Sequence, residues 1–62
     1  MPRTREEKKE ALKAWYRANN FGLSILLDEL QFQQRLHKLP KIGEAVDRLY
    51  LTFVLEGRIK EE

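Results

Sequence analysis

Sixty-two residues can form one domain at most, and a formal net charge of +2 allows nucleic acid or an acidic partner without requiring either. The absence of cysteine excludes disulfides and thiolate metal sites, and a single histidine cannot supply the three or four ligands that zinc needs. We therefore expect no metal and no cofactor. So short a chain buries only about 60% of its unfolded surface, which leaves a partner subunit as the remaining source of added stability.

The chain offers no segment for a membrane. Its longest apolar run, Leu49 to Leu55, contains Thr52 and falls far short of the roughly 18 residues that a span needs. The N-terminal residues are charged where a signal peptide would be apolar. We expect a soluble, cytoplasmic protein.

The first helix is predicted over residues 5–19. Thr4 followed by Glu7 has the Thr-x-x-Glu form of a capping box, which fixes where the helix begins. Its apolar face is thin and is predicted to consist of Ala11, Trp15, Ala18 and, at the edge, Leu12.

The second helix is predicted over residues 21–39, after a break at the sequence Asn-Asn-Phe-Gly, whose residue types favour turns. The alternative is one long helix through this break, because an isolated glycine costs only about 1 kcal/mol in a helix. At 100° per residue the second helix has two apolar faces, so it must be covered twice. Leu23, Leu26, Leu27 and Leu30 form one face, and Phe21, Ile25, Phe32, Leu36 and Leu39 form the other.

The third helix is predicted over about residues 41–56. Pro40 suits the first position of a helix, so it is expected at the start, and Gly57 is expected to end the helix. A strand at residues 49–55 is the weaker interpretation, since the helical period continues unbroken. Residues 58–62 are expected to form a polar tail from which Ile59 folds back. The core face is predicted to contain Ile42, Ala45, Val46, Leu49 and Phe53, with Tyr50 at its margin. The expected fold is all-α, a three-helix bundle that associates into a homo-oligomer.

The segment EAVDRLYLTFVLEGRIKEE resembles the third helix and first wing strand of winged-helix repressors, and it covers under a third of the chain. The resemblance implies a helix that reads the DNA major groove. Glu44 and Asp47 occupy its first outward turns, with only Arg48 in compensation, so DNA phosphates would repel them. We therefore predict that the third helix does not read bases.

More apolar side chains are present than three short helices can cover. Exposing half a dozen of them forgoes roughly 1.5–3 kcal/mol each, against a total stability of about 5–15 kcal/mol. We predict a protein-binding module with a regulatory, inhibitory or scaffolding role, whose partner is a second copy, most simply in a twofold dimer, or another protein. The predicted interface residues are Phe32, Leu36, Leu51, Val54 and Leu55.

The alternative is a nucleic-acid-associated accessory protein. If the helices run up, down and up, the first helix begins beside the turn between the second and third, and basic residues collect at that end. A further basic row follows the first helix at a spacing of four residues, as phosphate contacts would require. The residues that would bind phosphate are Arg3, Arg5, Lys9, Lys13, Arg17, Lys38 and Lys41.

The sequence contains no catalytic constellation, so we predict that the protein is not an enzyme. It has no phosphate-binding glycine-rich loop and no nucleophilic cysteine. Ser24 and His37 would lie about 20 Å apart on one helix at 1.5 Å per residue. We also expect no pocket of about 300 Å³ or more, and hence no small-molecule substrate.

Overall fold

The computed structural model describes residues 3–60, which form three packed α-helices and no β-strand. The helices are α1 (Arg5–Ala18), α2 (Leu23–Leu36) and α3 (Ile42–Leu55). The predicted all-α fold is confirmed over this range. The two alternative predictions are both wrong: the chain does not form one long helix through residues 19–22, and residues 49–55 are not a strand. Each helix has 14 residues, and none in the described range has the length and apolar character needed to cross a membrane.

Helix α1 begins with the predicted capping box. The Thr4 hydroxyl accepts a hydrogen bond from the backbone N–H of Glu7 at 3.2 Å, and the Thr4 N–H donates to the Glu7 carboxylate at 2.9 Å. The hydrogen bond from the Thr4 backbone is the largest cause that lowers the pKa of Glu7, and hydrogen bonding with the Thr4 side chain lowers this pKa further. Two backbone donors that the helix itself cannot satisfy are thereby paired, which fixes its start at Arg5.

All three helices end with the same capping arrangement. A residue with left-handed backbone follows the last turn: Asn20 (φ 60°), Lys38 (φ 52°) and Gly57 (φ 76°). In each case its N–H donates to the carbonyl three residues back, and the next N–H donates to the carbonyl five residues back. This is the Schellman motif, which pairs carbonyls that the end of a helix leaves free. The predicted terminating role of Gly57 is confirmed.

The predicted helix ends were one to three residues too long, because residues around the turns belong to caps. The N–H of Phe21 completes the cap of α1, and Gly22 is the N-cap of α2. Leu39 completes the cap of α2. Pro40 is not the first residue of α3, since Lys41 is its N-cap. Asn19 and Glu56 likewise lie one residue beyond their helices as C-caps.

Replacing Lys38 by glycine is expected to stabilise the protein by about 0.5–1 kcal/mol. A side chain in left-handed backbone costs roughly 1–2 kcal/mol, and glycine removes this cost. The unfolded chain is more flexible with glycine, which lowers the gain by about 0.5–1 kcal/mol. Urea denaturation measures the difference. Lys9→Gly is the matched control, since Lys9 is an exposed residue within α1, where glycine costs about 1 kcal/mol. Equal losses in both variants would contradict the expected relief of strain at Lys38.

The core lies between one face of each helix. Its two completely enclosed large side chains are Leu12 of α1 and Leu49 of α3. The single buried polar residue within residues 3–60 is Gln33, which takes a core position on α2. The buried apolar residues are Leu12, Tyr16, Leu26, Leu30, Ala45, Val46, Leu49, Tyr50 and Phe53.

The predicted core face of α1 was displaced by one residue. Leu12 and Tyr16 are buried, whereas Ala11 and Trp15 are only half-buried and Ala18 is exposed. Leucine and tyrosine fill the space between the other two helices better than the alanines do, and they therefore set the rotation of α1.

Several predicted positions on α2 and α3 also differ. Leu23 and Leu27 are about half exposed, because the buried stripe of α2 continues through Gln33 instead. Leu39 has left the second apolar face and packs against the core, since the chain turns at Lys38. At the first residue of α3, Ile42 is 41% exposed, while Tyr50 is fully inside.

Aromatic rings close the end of the bundle where α1 and α3 finish. Trp15 lies edge-on to Phe53, with their ring centroids 4.8 Å apart, and stacks on Phe21 at 6.0 Å. The guanidinium of Arg58 lies over both Trp15 and Phe53, at 5.4 and 5.1 Å. Ile59 is half-buried against the core, as predicted, so the segment after α3 covers this end. Residues 61 and 62 of the predicted tail lie outside the described residues.

Candidate protein-binding surface

Nine large apolar side chains of the described residues remain exposed in an isolated copy of the bundle. Of the nine, five belong to α2, although the helix also contributes to the core. The nine are Phe21, Leu23, Ile25, Leu27, Phe32, Leu36, Ile42, Leu51 and Leu55, with exposed fractions from 41% to 78%. The bundle therefore covers α2 on one side only, and its second apolar face stays accessible.

Four of these side chains form what we call the α2 strip: Phe21, Ile25, Phe32 and Leu36. At 100° per residue, the three that lie within the helix fall within about 40° of one another. They are about 100° around the helix from the buried residues Leu26, Leu30 and Gln33. Phe32 and Leu36 are 55% and 59% exposed. The strip is thus a flank of α2 that its own bundle leaves open.

Helix α1 borders the α2 strip without covering it. Burial raises the pKa of Tyr16 on α1, and the carboxylate of Glu29, which lies among the strip residues, raises it further. Phe21, at the start of the strip, stacks on Trp15 of α1. One edge of the strip is therefore fixed by packing, and the strip side chains Ile25, Phe32 and Leu36 are each about half exposed.

The second group of exposed apolar residues, which we call the α3 patch, consists of Leu51 and Leu55. Leu55 is 78% exposed, more than any other large apolar side chain of the described residues. Leu51 lies at the edge of an open depression with Leu39. The predicted interface residue Val54 is half-buried and packs against the core, so it offers less accessible surface than Leu51 and Leu55.

Neither Ile25 nor Phe21 was predicted to be an interface residue. Ile25 carries the same periodic signal as Phe32 and Leu36, and this signal was sufficient to include it. Phe21 lies before the helix and joins the strip through its stacking on Trp15, which periodicity does not show.

The predicted basic end forms, but several of its cations are held within the chain. Arg5 of α1 donates to Asp47 of α3 at 2.8 Å, which places the starts of these two helices side by side. Lys8 lies 3.7 Å from the other oxygen of Asp47, and Arg3 lies over the Tyr50 ring at 5.7 Å. Phosphate would have to displace these contacts.

Four of the predicted phosphate-binding residues are exposed and form no ion pair among residues 3–60: Lys9, Arg17, Lys38 and Lys41. Lys13, the middle of the basic row on α1, is half-buried and pairs with Glu10 at 3.6 Å. The exposed cations therefore lie in two places, along α1 and at the turn between α2 and α3.

The ion pair between Arg5 and Asp47 should make stability depend on pH. The hydrogen bond from Arg5 is the largest cause that lowers the pKa of Asp47, and the positive charges of Arg5 and Lys8 add to it. Because the pKa of Asp47 is lower in the folded protein than the ordinary value of 3.8, ionised Asp47 stabilises the fold at pH values above 3.8. This contribution disappears as the pH falls through the pKa of the folded state.

Asp47→Asn is accordingly expected to lower the melting temperature at pH 7 by a small amount, since solvent screens a pair this exposed. The difference from the unchanged protein should shrink below about pH 4 and vanish near pH 2. Arg5→Gln should reproduce the loss at pH 7, and the double variant should lose little more. A constant difference from pH 7 to pH 2 would show that the ion pair is not its source.

The depressions of the surface are open and shallow. Two reach about 520 and 310 Å³, so the expectation that none reaches about 300 Å³ is wrong. The larger runs along the first turns of α1 among Arg3, Glu6, Glu7 and Glu10, and the smaller contains the ion pair of Arg5 and Asp47. Neither is enclosed, as the pockets that bind small molecules are.

Among residues 3–60, the polar side chains of Ser24 and His37 lie at opposite ends of α2. Ser24 lies in the first turn of α2, whereas His37 is its C-cap, 3.5 Å from a guanidinium nitrogen of Arg48. No three metal-ligating side chains come together in residues 3–60. Comparison with protein-family models, characterised proteins and solved structures gives no match for this chain.

Proposed function

We propose that this chain is a small, non-catalytic protein-binding module that acts through its exposed apolar helical faces and associates with itself. The observation that carries the proposal is the α2 strip, an apolar flank of a helix that the chain's own bundle leaves uncovered. A regulatory, inhibitory or scaffolding role is consistent with such a surface, because docking alone suffices for each.

The free energy available from covering these side chains supports this proposal. Complete burial of one large apolar side chain is worth about 1.5–3 kcal/mol, and nine such residues are roughly half exposed. A chain of this length has a total stability of only about 3–9 kcal/mol at 0.05–0.15 kcal/mol per residue. A partner that covers even part of this surface therefore adds a large fraction of the stability of the fold.

Sedimentation equilibrium from micromolar to millimolar concentration tests the proposal. The mass should rise from 7.4 kDa toward twice that value. A variant with both Phe32→Glu and Leu55→Glu should keep its helical circular dichroism and remain at the monomer mass. A mass of 7.4 kDa throughout for the unchanged protein would exclude self-association. Unfolding of the double variant would show that these side chains belong to the core.

The second candidate is phosphate-backbone binding to nucleic acid, which the exposed cations Lys9, Arg17, Lys38 and Lys41 favour. A salt titration of binding to duplex DNA separates the two functions, because phosphate contacts make log affinity fall steeply with log salt. An apolar interface responds little to the same titration. Strong sequence discrimination would contradict the phosphate-backbone version.

A further inference from the structure

We infer that the occupant of the α2 strip is a second copy of this chain, whose own α2 lies antiparallel along it. This inference rests on the proposed self-association and specifies its surface and orientation. The observation behind it is the placement of two charged residues, Asp28 and Arg35, beside the strip.

Asp28 and Arg35 are seven residues apart and therefore lie on the same side of α2. On the helical wheel they are about 20° from each other and about 60–80° from the centre of the strip. Both are exposed, and neither forms an ion pair among residues 3–60. The flank of the strip away from α1 thus has an acid in its N-terminal half and a base in its C-terminal half.

An antiparallel, twofold pair of α2 helices brings equivalent flanks together with their directions reversed. If the axis passes midway between positions 28 and 35, each of these residues lies about 5 Å along the helix from it. Asp28 of each copy then lies level with Arg35 of the other, and two ion pairs form. In a parallel twofold pair this flank would instead face the opposite flank of the partner, so neither ion pair would form.

The same axis also aligns the apolar side chains. Phe32 lies within about 1 Å of the axis along the helix, so the two phenylalanines meet at the centre. Ile25 and Leu36 lie about 10 and 7 Å from the axis on opposite sides, which places Ile25 of one copy beside Leu36 of the other. One orientation therefore satisfies both the apolar and the charged pattern.

Charge exchange tests this orientation. Asp28→Arg and Arg35→Asp should each weaken the dimer about tenfold, because each replaces two attractive pairs by two repulsive ones. The variant carrying both exchanges should return to within about threefold of the unchanged protein, since the pairs re-form with opposite sign. High salt should reduce the effects of the single variants. Circular dichroism checks that each variant stays helical.

A distance measurement provides the second readout. Because the chain has no cysteine, a spin label at Ser24→Cys is unique in each copy. Antiparallel pairing separates the two labelled positions by about 22 Å along the helix axis, whereas parallel pairing leaves only the distance of about 10 Å between the helices.

The possible results separate this inference from the proposed function. A dimer that is abolished by the paired glutamates but unaffected by the charge exchanges would overturn the antiparallel pairing and leave self-association intact. Single charge variants that weaken the dimer without rescue by the double exchange would also overturn it. A chain that stays monomeric at every concentration would exclude both, and would leave the strip to a different protein.

Discussion

Phe32→Glu alone is expected to convert the proposed dimer into a folded monomer, with a dissociation constant raised about 100-fold. Because Phe32 is 55% exposed in one chain, covering it is worth about half of the 1.5–3 kcal/mol for complete burial, so two copies together lose about 1.5–3 kcal/mol, where 1.4 kcal/mol is a factor of ten. The glutamate also places a charge at the centre of the interface. Sedimentation equilibrium measures the change in association, and the 55% exposure of Phe32 in one chain predicts that the monomer stays folded.

Leu55→Glu is the matched control for this substitution. It introduces the same charge at an apolar position that is even more exposed, but on the α3 patch and not on the α2 strip. Under antiparallel α2 pairing, Leu55→Glu leaves the dimer largely unchanged. If Leu55→Glu dissociates the protein and Phe32→Glu does not, the α3 patch is the self-association surface.

Leu49→Ala is expected to destabilise the fold by about 2–5 kcal/mol, the range found for buried leucines. Leu49 is 1% exposed and lies in the middle of α3, where the faces of all three helices meet. Since a chain of 62 residues has about 3–9 kcal/mol in total, this single change leaves much of the population unfolded. Urea denaturation at low micromolar concentration, followed by circular dichroism, measures the loss.

Leu55→Ala removes the same atoms from an exposed position and is expected to change the free energy of unfolding by less than about 0.5 kcal/mol. A loss comparable to that of Leu49→Ala would mean that Leu55 is covered in the folded monomer. Equal tolerance at both positions would mean that the helices do not pack around Leu49.

The periodicity of the sequence was sufficient for the three helices and for the two apolar faces of the second one. It did not determine which flank the bundle covers. The rotation of α2 depends on how Leu26, Leu30 and the amide of Gln33 fit against α1 and α3, and a polar core position has no apolar signal. For the same reason the sequence placed Leu23 and Leu27 on one apolar face with Leu26 and Leu30, although they are about half exposed.

Helix ends were predictable where the residue type is conformationally distinctive. Gly57 and the asparagines before Phe21 marked real ends, since glycine and asparagine adopt left-handed backbone readily. Lys38 gave no such signal, because lysine rarely adopts this backbone and does so here only through its place in the cap. The proposed surface was predictable in part: Phe32, Leu36, Leu51 and Leu55 are exposed as expected, while the contacts of Arg5 with α3 depend on tertiary packing.

The two connections between helices differ in whether they can become helical, and this restricts how two copies of the chain can exchange helices. Fusing α2 to α3 into one rod would require helical backbone at Leu39, which the ring of Pro40 disfavours. Between α1 and α2 the only comparable obstacle is Gly22, at a cost of about 1 kcal/mol. A domain-swapped form in which one connection becomes helical is therefore expected to open at residues 19–22 and exchange α1, while α2 and α3 remain a hairpin.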